Sequence, residues 1–259
     1  MNVLITMGGA RYDAITERLL TEAPKFGVDR VLVYDDVWVA AHPFRQINAW
    51  LWDHPGDSNG KRGFGWYSWK SLLILDALDR CEPGDVVLYL DADSRPVSSM
   101  LPIFDTARRD GAMLFASQGH RQRTWCKADC YAVMAQDAID APAGCARFVA
   151  IKAGEYKPKQ MLWEWLTYSV NRYAQTFDPS VLVPDHADLE EHRTEQAVLS
   201  CLAHKYNYKL WRECDDSGEG WDVDRDVMPH AIFQQIGLGG GNIAGGSRFR
   251  NVEMPSEVL

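Results

Sequence analysis

The residues best suited to chemistry in this chain are two carboxylates, Asp91 and Asp93, which directly follow an apolar run. That run, Val86–Leu90, contains β-branched and aromatic residues and follows Pro83 and Gly84, a combination typical of a buried parallel strand. In open α/β sheets, ligands bind beyond the carboxyl ends of the strands, so the two acids are possible ligands for a hard divalent cation. In the alternative, Asp91 caps the next helix and Asp93 is solvated.

The segments before this strand predict the start of a parallel sheet. Residues 2–6 and 31–34 are short apolar runs, and the apolar spacing between them predicts a helix that ends near residues 24–27. A strand, a helix and a strand in this order begin a βαβ unit. We therefore predict an α/β fold with a mostly parallel central sheet.

An aromatic, glycine-rich segment leads to the strand before Asp91. Five of the ten tryptophans lie between residues 38 and 69, where they can cover a core or stack on flat ligands such as sugars or bases. The stretch HPGDSNGKRGFG predicts a long loop that contains Lys61 and Arg62. Residues 66–78 fit a helix with Lys70 in its first turns, where a positive charge opposes the helix dipole. That cost suggests an anionic partner, although a solvated lysine explains it equally well.

Helices and strands continue to alternate through the second half of the chain. We predict helices over 97–110, 130–137, 158–175 and 195–206, and strands over 112–117 and 146–154. We predict neither a helix nor a strand in the glycine-rich tail that begins near residue 236. Because no linker divides the chain, we predict a single domain over residues 1–259.

The composition argues against several classes of protein. The net charge of −9 argues against a general binder of the nucleic-acid backbone. No apolar run approaches the length of a membrane span and the chain begins with a strand-like segment, so we expect a cytoplasmic protein. The six cysteines lack the spacing of a zinc site or a disulfide framework, and we expect free thiols at positions 81, 126, 130, 145, 201 and 214.

Three stretches of this sequence resemble one family of enzymes. GFGWYSWKSLLILDAL from Gly63 and GDVVLYLDADS from Gly84 resemble a GFGYWxWKP-like loop and a YLDxG/D strand of nucleotide-sugar-dependent glycosyltransferases with the GT-A fold, of bacterial and viral type. HRTEQAVLSCLAHKYN from His192 is similar to their HRxDQxxLSxLxxKY helix. The resemblance implies a Rossmann-like three-layer sandwich in which residues 1–117 bind the nucleotide-sugar and residues 118–259 bind the acceptor.

The resemblance also implies a metal cofactor. In such enzymes the DxD acids bind Mn²⁺ or Mg²⁺, which bridges the donor phosphates and neutralises the leaving nucleoside diphosphate, and Asp91 and Asp93 match these acids. Both ions accept carboxylate, imidazole and water ligands in octahedral geometry. GT-A enzymes often supply a histidine near the C-terminus, and His230 is the best match, although a structural or solvated histidine explains it equally well.

The donor-binding residues that the resemblance implies are polar or charged and are grouped by the part of the donor they would contact. They are Lys61, Arg62 and Lys70 for the diphosphate, Thr6 and Asp35 or Asp36 for the nucleoside, and Lys127 and Asp129 for the sugar. An acid after the second strand suits ribose hydroxyls or a base edge, and a simple turn is the alternative for the aspartate pair.

Glu195 is the implied general base, because an inverting enzyme needs a carboxylate to deprotonate the acceptor hydroxyl. Glu195 stands where the family motif has Asp, so its reach is one methylene longer. Asp93 would take part in catalysis by anchoring the leaving group. Four acids in the loop before Glu195 are alternative bases, unless they form a solvated face: Asp185, Asp188, Glu190 and Glu191. Retaining and inverting mechanisms both remain open.

Two other functions remain open from the residues alone. A nucleotidyltransferase also presents nucleotide phosphates to paired acids, and Gly8, Gly9 and Arg11 fit its glycine-rich signature in part. A non-catalytic sugar- or nucleotide-binding module would use the tryptophans as stacking platforms. The acceptor hydroxyl could belong to a polysaccharide, a small molecule or a modified nucleobase. For nucleic acid, a local basic rim would consist of Arg121, Arg123, Lys127, Arg248 and Arg250.

Overall fold

The computed structural model describes residues 1–9, 12–53, 64–137, 140–220, 222–236 and 250–253, and this part of the chain forms two sheets. Its strands are β1 (Asn2–Met7), β2 (Arg30–Tyr34), β3 (Val86–Leu90), β4 (Ser94–Pro96), β5 (Ala112–Arg121), β6 (Pro142–Lys152), β7 (Leu210–Trp211), β8 (Phe233–Gln235) and β9 (Arg250–Glu253). The larger sheet has the strand order β7-β5-β6-β3-β1-β2-β9, and β4 pairs with β8 in a separate small sheet.

Most strands of the larger sheet run in one direction. β1 is parallel to both β2 and β3, and β7 is parallel to β5. β6 lies antiparallel between β3 and β5, so β5 and β7 point the same way as β3. β9 runs antiparallel to β2 at the edge. Within the described sheet, only β6 and β9 oppose the common direction, which confirms the predicted α/β fold with a mostly parallel central sheet.

Helices cover both faces of this sheet. They are α1 (Asp13–Glu22), α2 (Asp36–Ala41), α3 (Pro43–Ile47), α4 (Trp50–Asp53), α5 (Trp69–Leu78), α6 (Leu101–Asp110), α7 (Gln122–Trp125), α8 (Ala128–Val133), α9 (Tyr156–Tyr168), α10 (Arg172–Gln175) and α11 (Thr194–Lys205). α5, α9 and α11 form one core with the first face, and α1 and α6 form a second core with the other. In β3, Val87 and Tyr89 enter the first core, whereas Val86, Leu88 and Leu90 enter the second, because successive strand side chains point to opposite faces. The fold is therefore a three-layer sandwich.

The helix that carries Lys70 begins later than the sequence predicted. α5 begins at Trp69 rather than at residue 66, because Gly65, Trp66 and Tyr67 have φ values of 58°, 54° and 57°. Those angles lie in the left-handed region, which a right-handed helix does not contain. Short helices α2, α3 and α4 occupy the described part of the preceding aromatic segment. Most of the predicted loop, residues 54–63 with Lys61 and Arg62, lies outside the described residues.

Several other elements differ from the sequence prediction at their ends. α6 begins at Leu101 rather than at residue 97, because the chain before it forms β4 and turns onto the segment around Ile232. β5 continues past the predicted end at residue 117 to Arg121. β8 and β9 were not predicted, because their partners β4 and β2 are distant in sequence. Among the described residues, no helix is both long enough and apolar enough to cross a membrane.

Candidate functional site

Asp91 and Asp93 follow β3 at the carboxyl edge of the parallel strands, where the sequence predicted them. In the antiparallel register of β3 and β6, the residue after β3 comes next to Arg147, and the Asp91 N–H donates to the Arg147 carbonyl at 3.0 Å. The Asp93 carbonyl accepts a 2.6 Å hydrogen bond from the Ile236 N–H. The turn with both acids is therefore fixed by β6 and by the segment that follows β8.

Lys70 is buried and lies at the centre of a group of charges. Its Nζ is 3.1 Å from Asp91 Oδ1 and 3.3 Å from Glu195 Oε1, and it donates to the Ala146 carbonyl at 3.2 Å. The side chain is only 4% exposed. Burial alone would lower the pKa of Lys70, but the two carboxylates outweigh that effect and hold the pKa above its usual value. Lys70 therefore stays charged and links α5, the end of β3 and α11.

Tyr89 is a member of this site that the sequence reasoning missed. Its hydroxyl donates to Asp91 Oδ1 at 2.5 Å, and its ring centroid lies 5.4 Å from Lys70 Nζ. Burial, and then the Asp91 charge, raise the pKa of Tyr89 well above its usual value, so the phenol keeps its proton as a hydrogen-bond donor. The signal was present in the sequence, because strand residues two positions apart face the same side.

Asp93 offers an oxygen that the protein leaves without a hydrogen bond. Asp93 Oδ1 is buried and has no hydrogen-bond partner among the described residues. Burial, and then the neighbouring Asp91 charge, raise the pKa of Asp93, and Arg147 and Lys70 offset part of that rise. An unsatisfied buried acceptor is costly unless a ligand occupies it. Two adjacent carboxylates with one unsatisfied oxygen fit a hard divalent cation.

Arg147 brings a second cation to the same edge of the sheet. Its Nη2 donates to Glu213 Oε1 at 2.5 Å, and its Nη1 lies 3.1 Å from Asp215 Oδ2. The two acidic side chains are 2% and 0% exposed. Gln235 of β8 donates to Asp215 at 3.1 Å. These ion pairs join β6 to the segment that also holds Asp93. In the sequence, the one sign of them was a single arginine inside the apolar β6.

The residues predicted for the nucleoside lie along the same edge, at the ends of β1 and β2. Thr6 pairs in register with Val33, is fully buried, and has an Oγ1 without a hydrogen-bond partner in the described structure. Asp35 is fully buried and caps α2 by accepting from the Trp38 N–H at 2.6 Å, whereas Asp36 is exposed. Since β1 lies between β2 and β3, Thr6 lies on the strand next to the one that Asp91 follows, and Asp35 and Asp36 follow the strand beyond it.

The two residues predicted for the donor sugar contact a different segment. Lys127 Nζ donates to the carbonyls of Thr176 and Asp178 at 2.7 and 3.0 Å. The Asp129 carboxylate accepts from three consecutive backbone N–H groups, those of residues 181–183, at 2.8 to 3.3 Å. Burial lowers the pKa of Lys127. Both side chains therefore hold the chain between α10 and α11, and a contact with the donor sugar stays a prediction.

Glu195 lies in the first turn of α11, in the half of the chain that is predicted to bind the acceptor. Its Oε2 accepts from the Thr194 hydroxyl at 2.5 Å, and its other oxygen faces Lys70. Burial raises the pKa of Glu195, and Lys70 and Thr194 offset part of the rise. Two of the alternative acids have other partners: Asp185 accepts from the Ala128 N–H at 2.7 Å, and Asp188 pairs with Arg123.

The structure does not bring His230 together with the two aspartates. His230 is exposed, and among the described residues no group of Asp91, Asp93 and His230 has all its ligand atoms within 4.8 Å of one another. Its role as a metal ligand stays a prediction. The basic rim is also only partly described, because Arg248 lies outside the described residues and Arg121 is paired with Asp140.

His192, at the start of the third sequence motif, is expected to make the stability of the fold depend on pH. Burial, and then the Lys127 charge, lower the pKa of His192 to about 3, and its Nε2 donates to the Ala174 carbonyl at 2.7 Å. An unfolded histidine binds a proton near pH 6.5, so the free energy of unfolding should fall as pH decreases from 6.5 toward 3. We expect His192→Gln to make this dependence shallower in urea unfolding at a series of pH values. The matched change His186→Gln, at an exposed position, should leave the slope unchanged.

Neither a protein-family model nor a curated protein matches this sequence. Among solved structures, the apo form of mouse xyloside xylosyltransferase 1 is similar, with a TM-score of 0.46, 10% identity and coverage of 95% of this chain and 100% of that one. Galactosyltransferase LgtC in complex with donor and acceptor sugar analogues is similar with a TM-score of 0.45 and 13% identity, and the match covers 91% of this chain and 87% of that one. The apo glycosyltransferase GlyE of Streptococcus pneumoniae TIGR4 is similar with a TM-score of 0.43 and 15% identity, and the match covers 90% of this chain and 53% of that one. At these scores and identities the likenesses assign no activity to this chain.

Proposed function

We propose that this protein is a metal-dependent glycosyltransferase that moves a sugar from a nucleotide-sugar to a hydroxyl acceptor. One observation carries the proposal: Lys70, Asp91 and Glu195 come from three separate sequence motifs that resemble GT-A enzymes, and the buried Lys70 and Glu195 form one contact group with the half-buried Asp91 at the carboxyl edge of the sheet. Three motifs from distant parts of the chain meet there, as a common site for the donor requires.

Asp91 and Asp93 are the residues that would hold Mn²⁺ or Mg²⁺. When bound, such an ion stabilises the charge that develops on the leaving nucleoside diphosphate. The protein's own part is to orient the acids: Tyr89 and Lys70 fix the Asp91 carboxylate, and Asp93 keeps its buried Oδ1 free for a ligand. Arg147 adds positive charge beside them.

Further residues are proposed to bind the remaining parts of the donor. The buried Thr6 hydroxyl without a hydrogen-bond partner, together with Asp35 or Asp36, is proposed to face the nucleoside. Lys61 and Arg62 are proposed to contact the diphosphate. Lys70 acts on the diphosphate through Asp91, because its own charge is already balanced by two carboxylates.

Glu195 is proposed as the general base for the acceptor hydroxyl. Burial raises its pKa, which brings the carboxyl group closer to the range in which it can accept and release a proton near neutral pH. The Thr194 hydroxyl and Lys70 each hold one of its oxygens and so fix the orientation of the carboxylate. Its position at the start of α11 is consistent with an acceptor that binds to the second half of the chain.

A panel of UDP-, GDP- and CMP-sugars tests the proposed function, with Mn²⁺, Mg²⁺ or EDTA in parallel samples. We expect one donor to release its nucleotide slowly in the presence of either metal and not in EDTA, because water replaces the missing acceptor. Donor binding that EDTA leaves unchanged would instead indicate a binding module. Release of pyrophosphate from a nucleoside triphosphate and a sugar phosphate would indicate a nucleotidyltransferase.

A further inference from the structure

Three of the six cysteines come together in the core of the protein. Cys126 lies between α7 and α8, Cys130 lies one turn later on α8, and Cys201 lies on α11. Their Sγ atoms are all within 4.8 Å of one another, and the three residues are at most 1% exposed. The thiols are not joined by a disulfide. The sequence spacing did not reveal this group, because its third thiol comes from a distant helix.

The size of this thiol triad fits the coordination sphere of a metal ion. Zinc–sulfur bonds are about 2.3 Å long, so three sulfurs around one ion lie roughly 4 Å apart. The thioether Sδ of Met134 lies 3.8 Å from Cys130 Sγ and adds a fourth soft atom. Gln122 Nε2 donates to Cys201 Sγ at 3.0 Å, an outer contact of the kind that orients a thiolate ligand.

We propose that Cys126, Cys130 and Cys201 bind one thiophilic d¹⁰ cation, of the class that includes Zn²⁺, Cu⁺ and Cd²⁺. Thiolate and thioether ligands select such ions, whereas carboxylates select Mg²⁺ and Mn²⁺, so this site is chemically distinct from Asp91 and Asp93. Each thiol that coordinates the ion gives up its proton to solvent, and no oxidant is required.

A bound ion would connect two helices in the second half of the chain. It would join α8 and the turn before it to α11, the helix whose first turn carries Glu195. Because the thiols are buried, the ion must enter while the chain folds or when these helices separate. Binding to the folded state alone raises its stability, which makes the melting temperature a direct readout.

Cd²⁺ alone is the probe for this site. Reduced, metal-free protein is titrated with Cd²⁺ directly and is also refolded in its presence. We expect one equivalent to bind, with an ultraviolet thiolate-to-cadmium charge-transfer band and a higher melting temperature, and we expect a large excess of Zn²⁺ to compete for the site and weaken the band. This outcome does not depend on glycosyltransferase activity, so the two proposals fail separately.

Single substitutions assign the band to the triad. Cys201→Ala and Cys126→Ala should each lose the band and the gain in melting temperature. Cys214→Ala removes another fully buried thiol outside the triad and should keep both. Circular dichroism checks that each variant folds, and Cys130→Ser replaces any alanine variant that does not. No band in refolded wild type, or a band that survives in all folded triad variants, would overturn the proposal.

Discussion

Asp93→Asn is expected to lower metal-dependent sugar transfer about 1000-fold, because a metal ion at a leaving group supplies several kcal/mol of transition-state stabilisation. Asparagine keeps the shape of aspartate and removes its charge. Asp93 makes no ion pair within 4.0 Å among the described residues, and its Oδ1 has no hydrogen-bond partner there, so the change should leave the fold intact. The measurement is the initial rate of nucleotide release with the preferred donor, at saturating Mn²⁺ and in EDTA.

Two comparisons make this result specific. Asp222→Asn changes an acid whose side chain is fully exposed, and it should leave the rate and the response to Mn²⁺ unchanged. Asp91→Asn should also abolish transfer, but it removes a partner of Lys70 and is expected to lower stability as well. Undiminished, Mn²⁺-dependent transfer by Asp93→Asn would contradict the role of Asp93 in holding the ion.

The parallel strands and the place of the two aspartates could be predicted from sequence because they depend on neighbouring residues. The apolar run of β3 and the acids that follow it are contiguous, and strand geometry puts those acids at the carboxyl edge. The α/β class follows in the same way from the alternation of strand and helix patterns. The three-layer sandwich came with the resemblance to GT-A enzymes, and the two cores on opposite faces of the sheet confirm it.

Features that depend on distant partners were not predictable in this way. The ion pairs of Arg147 with Glu213 and Asp215, the edge strand β9 and the thiol triad each join residues far apart in the chain. Periodicity in one segment contains no information about such partners. The later start of α5 has a different cause, because positive φ at Trp66 is uncommon for a bulky residue and no residue type announces it.

The donor-sugar role of Lys127 and Asp129 came with the resemblance to GT-A enzymes, and it stays a prediction. In the structure, their charges meet backbone carbonyls and backbone N–H groups of the segment before α11. A sequence pattern does not distinguish a charge that faces a ligand from one that satisfies the backbone of its own chain.

Lys70→Met is expected to lower the free energy of unfolding by about 3 kcal/mol, because it leaves the Asp91 and Glu195 carboxylates without their shared cation. Methionine is similar in length, so the change removes charge more than volume. The measurement is equilibrium urea unfolding of the metal-free protein at neutral pH. Adding Glu195→Gln should restore part of the loss, since the second change removes one of the uncompensated charges, and the double-mutant cycle should give a coupling of about 1–3 kcal/mol.

The matched control is Lys159→Met, which breaks an ion pair with Asp79 at 2.7 Å between side chains that are 47% and 61% exposed. Solvent screens that pair, so its loss should cost less than about 1 kcal/mol. A similar cost for both variants would mean that solvent reaches Lys70 as freely as it reaches Lys159. In that case the ion pairs of Lys70 would not hold α5, β3 and α11 together, and Asp91 would need another group to orient its carboxylate.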